Sequence, residues 1–426
     1  MTNANKQRNT VVIVTMYFIL MMISFITNMA SPLGNIWGYK YEWAGMMGNM
    51  MNFAAYLVMG IPAGRMLIKL GYRLTAQIGL FVGAVGLFVQ YLSSIFGDST
   101  VAFSMDSGDV CWNLIIYLIG ALISGFSMCM LNTVVNPTLK LSAADPRKAN
   151  QIMQAGATLN SLTGTLSPYL VGAMIGTVSK ETSMADVTPL LWIGIGIFIL
   201  ALIVVIISKM PEPQGDLRET KFERSPWAFR HCTLGVIAIF FYVGMEIGIQ
   251  GEMNFYITRL GFENSAAIAG KFVAAYWLLM LCGRFVSTLI SNKVSPQRQL
   301  AAVAIVAIGF LLIAIFMPED ITISFATGDV PTKCVFITLC GLCTSIMWAC
   351  IYNLATEGLG KYTPAASGIF MMMVVGGGIM PLIQDYIGRT FDYISSYWLI
   401  IAMLVYILFY SLKGCKNVNT DIDVSL

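Results

Sequence analysis

Twelve apolar stretches of membrane-spanning length, separated by short polar breaks, fill this chain, and that pattern restricts both its solvent and its fold. They fall near residues 11–37, 46–68, 76–96, 112–139, 152–178 and 189–207, then near 232–257, 266–290, 300–316, 334–356, 366–387 and 397–412. Backbone groups in hydrocarbon must be hydrogen-bonded within their own segment or around a closed barrel. The runs are continuous and lack a barrel strand's alternation, so the spans are helices. Charged residues make up 11% of the 426 and hydrophobic ones 57%, whereas soluble domains carry about a quarter charged residues. The chain is therefore read as an all-α membrane protein, its principal partner the lipid bilayer. The net charge of +3 points to no nucleic acid.

The longest polar stretch, 209–230, contains PEPQGD and RETKFERS and no apolar run. It divides the spans six and six, predicting an N-terminal bundle over 1–208, a cytoplasmic linker over 209–231, and a C-terminal bundle with a short cytoplasmic tail over 232–426. The first apolar run is too long for a cleavable signal and is expected to stay as the first helix. With the N-terminus inside, 18 of the 25 Lys and Arg fall on the cytoplasmic side and six outside. That bias predicts both termini in the cytoplasm and a cytoplasmic (inner) membrane location.

Nine cysteines and one histidine offer little chemistry. Cys340 and Cys343 form a CxxC inside an apolar span, followed by Cys350 and with no His nearby, and are expected to be small packing residues. His231, beside Arg230 at the start of a span, is expected to be interfacial. No metal site and no cofactor are expected, and a membrane enzyme lacks the required nucleophile, metal cluster or acid-base pair.

Polar side chains within the spans recur at helical spacing. Ser24, Asn28, Ser31 and Asn35 share one face of the first helix. Asn49, Asn52 and Tyr56 follow on the second, and Asn132 and Asn136 on the fourth, just before Pro137. The fifth opens with Gln151, Gln154, Thr158, Ser161 and Thr165, with Asn160 on another face. The seventh carries Tyr242, Glu246, Gln250 and Asn254, and the tenth Ser345, Trp348, Tyr352 and Thr356, flanked by Asn353. Isolated Ser, Thr or Asn would simply join helices through hydrogen bonds of about 1 kcal/mol each. Amides on four helices facing a carboxylate and aromatics suit a sugar, whose hydroxyls need amides and carboxylates and whose C–H face stacks on rings. Glu246, near mid-span, must be neutral, paired or hydrated, either as a functional group or as half of a structural ion pair. Arg284 counts toward the cytoplasmic end of its helix and is expected to snorkel or form a gating salt bridge. Gln384 and Asp385 are read as interfacial. Gly376, Gly377 and Gly378 are expected to permit close packing or a bend.

AYLVMGIPAGRMLIKLGYR on the second span, FFYVGMEIGIQG on the seventh and YWLLMLCGRFVSTLI on the eighth join GLCTSIMWACIYNLATEGLGKYT and SGIFMMMVVGGGIMP on the tenth and eleventh. Together they resemble the major facilitator superfamily, and within it the fucose, galactose and glucose:proton symporter family. The resemblance implies twelve transmembrane helices in two six-helix bundles, nested inverted repeats, and a midplane sugar site reached alternately from either side. It places the family's helix 7 Glu on Glu246, its helix 5 Asn on Asn160 before Ser167 and Pro168, and its helix 2 Gln on Asn49. Acidic positions of the family are occupied by Asn28, four residues before Pro32, and Asn132, four before Asn136 and Pro137. Amides cannot titrate, so family-style proton coupling at these sites is in question. A helix 5 Gln is replaced by Ala157.

The expected function is a monomeric secondary sugar transporter working by alternating access. Its site is expected to lie between Asn28, Asn49, Asn52, Asn132, Asn136 and Asn160 on one bundle and Glu246, Gln250, Tyr276, Trp348, Tyr352 and Asn353 on the other, with Glu246 and Arg284 in coupling or gating. A proton, sodium or no coupling ion all stay open, as do hexoses, deoxyhexoses, amino sugars and acidic sugars. An exporter of drugs or peptides and a non-transporting sugar sensor are the alternatives.

Overall fold

The computed structural model describes residues 3–45, 47–105, 108–143, 145–175, 182–207, 212, 215, 217, 220, 222–262, 265–325, 328–419 and 422–425. The first bundle contains α1 (Asn3–Lys40), α2 (47–70), α3 (72–92), α4 (Trp112–Leu141), α5 (Pro146–Ile175) and α6 (Thr188–Ile207). The second contains α7 (Arg230–Thr258), α8 (Ser265–Ile290), α9 (Pro296–Phe316), α10 (Lys333–Thr344 and Met347–Ala355), α11 (Thr363–Met372, a 3-10 turn at Met373–Val375, then Gly376–Thr390) and α12 (Tyr397–Phe409). Two six-helix bundles thus form as expected. Much of the expected linker, including Lys209 to Met210 and Arg218 to Glu219, lies outside the described residues.

α2 and α3 are one helical run interrupted at Gly71, whose φ of 81° and ψ of 169° suit glycine. The same glycine leaves room for the carboxyl of Glu212 from the linker. Glu212 accepts the backbone N–H of Tyr72 at 2.6 Å and of Arg73 at 3.1 Å, satisfying free donors at the start of α3. Among the described residues, ten helical runs are long and apolar enough to cross a membrane, α2 and α3 counting as one. The first half of α5 carries Gln151, Gln154, Thr158, Asn160 and Ser161, and the side chains of 168–173 lie outside the described residues.

Two antiparallel hairpins stand at equivalent places in the halves: β1 (Val101–Met105) with β2 (Gly108–Cys111) before α4, and β3 (Thr322–Phe325) with β4 (Gly328–Pro331) before α10. β2 and β4 both begin Gly-Asp-Val, and Val110 and Val330 are the buried contacts, whereas β1 and β3 are almost wholly exposed. The repeated hairpin marks the two bundles as copies of one plan. It also gives the molecule a hairpin side, opposite the linker side.

The bundles approach most closely on the linker side. There Gly60 and Gly64 of α2 meet Gly368 of α11 backbone to backbone, where a Cβ on any of the three would collide. Farther along α11, Gly376 lies against the Phe240 carbonyl and Gly377 and Gly378 against the Phe53 ring, beside the 3-10 turn. Close packing and a helix irregularity therefore occur together. All nine cysteines are free, and Cys340, Cys343 and Cys350 are buried. His231, in the first turn of α7, is fully buried, its Nε2 2.9 Å from the Glu357 carbonyl and its ring edge-on to Phe229. Gln384 is likewise buried, while Asp385 pairs with Arg389 at 2.8 Å.

Candidate functional site

A cavity of about 210 Å³ opens between the bundles, far more than the ~10–15 Å³ that one water requires. The N-terminal bundle contributes Tyr56, Asn132, Asn136, Gln154 and Asn160; the C-terminal bundle contributes Tyr242, Glu246, Arg284, Ser345 and Trp348. Apolar walls come from Leu20, Met153, Val243 and Met371.

Glu246 and Arg284 form the centre of its polar network. The Glu246 carboxylate accepts from Arg284 Nη2 at 3.2 Å and from the Tyr242 hydroxyl at 2.8 Å. The two side chains are 16% and 11% exposed. Of the two expectations for Arg284, snorkelling or a salt bridge, the structure has the salt bridge, with Glu246 as its partner. α10 breaks at Ser345 and Ile346; the Ile346 carbonyl keeps a backbone donor, Cys350 N at 3.3 Å, and both carbonyls accept from side chains. Arg284 Nε donates to Ser345 O at 3.1 Å, and Gln154 Nε2 donates to Ile346 O at 3.1 Å. Arg284 Nη1 crosses to the other bundle, reaching Ser161 Oγ and the Ala157 carbonyl.

On the opposite wall, Asn132 Nδ2 donates to the Tyr56 hydroxyl at 2.8 Å and Asn136 Nδ2 to Asn132 O at 2.8 Å. Trp348 Nε1 donates to Asn136 Oδ1 at 3.2 Å, joining the bundles through an aromatic edge. Asn160 is fixed against α1: its Nδ2 donates to Leu20 O at 3.0 Å and its carbonyl accepts from Ser24 Oγ at 2.6 Å.

The remaining candidates are spread out. Asn28 donates to Ser24 O at 2.8 Å and packs beside Gly164, away from the described cavity lining. Asn52 lines a separate space of about 20 Å³ within the first bundle, with Gln90, Tyr117 and Ser124, while Asn49 lines neither. Gln250 is half-buried one turn beyond Glu246, outside the lining. Tyr276 stands behind the ion pair, its hydroxyl 3.4 Å from Glu246 O and 2.9 Å from Thr344 Oγ1. Tyr352 is buried against Ser367 Oγ at 2.6 Å, and Asn353 donates to Asn150 Oδ1 at 3.0 Å. The side chains of Ser31, Asn35 and Pro168 lie outside the described residues.

Asn353 instead belongs to a closure on the linker side. Lys140 Nζ donates across the bundles to Asn353 O at 3.0 Å and Thr356 Oγ1 at 2.5 Å. Asn150 Nδ2 reaches Ser291 Oγ at 2.9 Å. Every hydrogen bond described between the bundles lies at the cavity or on this side of it. Sequence reasoning did not place Lys140, Asn150 or Gln154 in the site. The polar opening of α5 was the available signal for the last two.

A family model described as Major Facilitator Superfamily matches residues 13–381. The chain belongs to the major facilitator superfamily. Among curated members, it is 27% identical over 420 residues to a putative glucose/galactose transporter of Helicobacter pylori, covering 94% of this chain and 95% of that one. It is 28% identical to a glucose/galactose transporter of Brucella abortus, covering 94% and 93%. An L-fucose-proton symporter of Escherichia coli is 25% identical, with 86% and 83% covered. The crystal structure of that E. coli fucose:proton symporter superposes with a TM-score of 0.78 at 19% identity, covering 94% of this chain and 97% of that one. The likeness establishes the fold within this family.

Proposed function

We propose that this chain is a secondary transporter that carries a neutral monosaccharide across the cytoplasmic membrane by alternating access. The observation that carries the reading is the cavity between the bundles, where amides, an aromatic face and a charge-balanced Glu246–Arg284 pair converge. Sugar hydroxyls can donate to Glu246 and accept from the amides, and Trp348 offers a ring to the C–H face. Because Arg284 already balances Glu246, a neutral ligand keeps the cavity neutral, whereas an acidic sugar would bring unmatched charge. The names of the curated relatives, glucose/galactose transporters and fucose symporters, point to the same substrate class.

The binding set we assign is Asn132, Asn136, Asn160, Glu246, Arg284 and Trp348, with Gln154 and Tyr242 holding them in place. The ends of the chain and the linker, 209–231, are assigned to the cytoplasm from the charge bias, with bundles over 1–208 and 232–426 and a monomer as the working unit. On that orientation the closed linker side makes this an outward-facing arrangement. Counterflow of labelled glucose, galactose, fucose and a uronate into proteoliposomes tests the reading. Exchange of a neutral sugar is expected; selective exchange of the uronate, or of none of the four, would overturn it.

A further inference from the structure

A second carboxyl lies in the seam between α7 and α11, on the hairpin side of the Glu246–Arg284 pair. Glu252 is six residues beyond Glu246 on the same helix and only 3% exposed. The two helices interlock through reciprocal glycines. Gln384 Oε1 occupies the space a Cβ would take at Gly248, and Glu252 Oε1 occupies the corresponding space at Gly388. Both oxygens are buried without a hydrogen-bond donor.

The charged and titratable groups around Glu252 are engaged elsewhere. On α11, Asp385 and Arg389 pair with each other at 2.8 Å on the exposed face. Arg259, just past α7, holds its guanidinium over the Tyr393 ring, 4.9 Å from the centroid. The Tyr397 hydroxyl of α12 donates to Ile249 O at 2.7 Å. Among the described residues, no Lys or Arg makes an ion pair with Glu252. Gln384 Nε2 points to Ser396 Oγ at 3.3 Å, and that hydroxyl donates to Tyr393 O.

A carboxyl within a membrane-spanning helix must be paired, hydrated or neutral. Glu252 is unpaired and nearly closed to water, so its neutral form is the one the seam accommodates, with the acid O–H supplying a donor where acceptors predominate. The outer segment of α11, Gly376–Thr390, follows the 3-10 turn at Met373–Val375 and contains Pro381, so it can pivot against α7 as the bundles rock. Such a pivot would expose the carboxyl to the hairpin side.

We propose that Glu252 is a proton-binding site, separate from the substrate cavity, that takes up and releases the coupling proton through the α7–α11 seam. The reaction is simple protonation of the carboxylate and its reversal. It gives the chain a titrating group where Asn28 and Asn132 cannot serve, and leaves Glu246 bound to Arg284 as a sugar ligand. The coupling role rests on the transport reading above; proton binding does not.

Two measurements separate these points. Infrared difference spectra of the reconstituted protein between acid and alkaline pH are expected to show the C=O stretch of a buried carboxylic acid, and Glu252→Gln is expected to lose it. Persistence of the whole band in this near-isosteric variant, folded by its melting and elution profiles, overturns the proposal whatever the protein transports. In vesicles with an imposed pH gradient, Glu252→Gln should lose gradient-driven sugar accumulation, and Asp385→Asn should retain it. Accumulation that keeps its proton dependence in Glu252→Gln, or that ignores the gradient in the wild type, also overturns the proposal. A titrating band assigned to Glu252 in a protein that moves no sugar overturns the transport reading and leaves the proton site standing.

Discussion

Glu246 and Arg284 each make the other tolerable in the membrane, which fixes what happens when one is removed. Breaking a buried ion pair strands the remaining charge at a cost of about 3–5 kcal/mol, more than the pair itself contributes. Glu246→Gln is therefore expected to lower the melting temperature and abolish sugar exchange. Adding Arg284→Gln should recover part of the lost stability but none of the exchange; a double-mutant cycle of melting temperatures checks this. Additive losses would show that the two charges are not coupled. Asn132→Ala and Asn160→Ala should each weaken sugar binding by about 1–2 kcal/mol, measured by calorimetry, because a hydroxyl loses its partner. Unchanged affinity in both would assign these amides to helix packing. These residues were legible in the sequence because an amide or carboxylate stands out in an apolar span. For Arg284 the sequence offered a salt bridge without its partner, since the pairing depends on where a break in another helix puts the Ser345 carbonyl. Asn28 and Gln250 share helical faces with cavity residues, yet a helix face is wider than the cavity it meets.

At the scale of elements, hydropathy located the spans but not their internal breaks. The interruption of α10 at Ser345 and Ile346 falls between Thr344 and Met347 with neither Pro nor Gly at the break itself, so no local signal announced it. The hairpins escaped notice because strands of four or five residues, mostly exposed, carry too little alternation to register. The glycine contact between α2 and α11 was partly legible, as IPAG lies within a recognised segment, but its partner Gly368 required the structure. That contact is the tightest in the linker-side closure, and bulk there should force it apart. Gly368→Leu is expected to make a cysteine in place of Ser291, buried in the same linker-side closure, react faster with a water-soluble thiol reagent. An unchanged rate would mean that the closure does not depend on this approach.

For the whole molecule, the polar contacts described between bundles lie at the cavity or on its linker side, so their strength sets the balance between the two access states. Lys140 makes two of these contacts, its Nζ bonded to Asn353 O and Thr356 Oγ1 across the gap. Hydrogen bonds from a charged donor contribute roughly 1.5–3 kcal/mol each. A shift of even 1.4 kcal/mol changes the ratio of two states by about tenfold. Lys140→Met keeps an apolar stem of similar length and removes the bonds, so it should move the population toward linker-side opening. Spin labels on exposed positions report both ends: Lys148 and Lys293 on the linker side, Ser104 and Ser324 on the hairpins. The expected result is a longer Lys148–Lys293 distance together with a shorter Ser104–Ser324 distance, because rigid bundles that rock about a central site open one end as they close the other. If the linker-side distance grows while the hairpin distance stays fixed, Lys140 restrains only a local loop. If neither changes, the closure is held by the glycine contact rather than by the polar bridge.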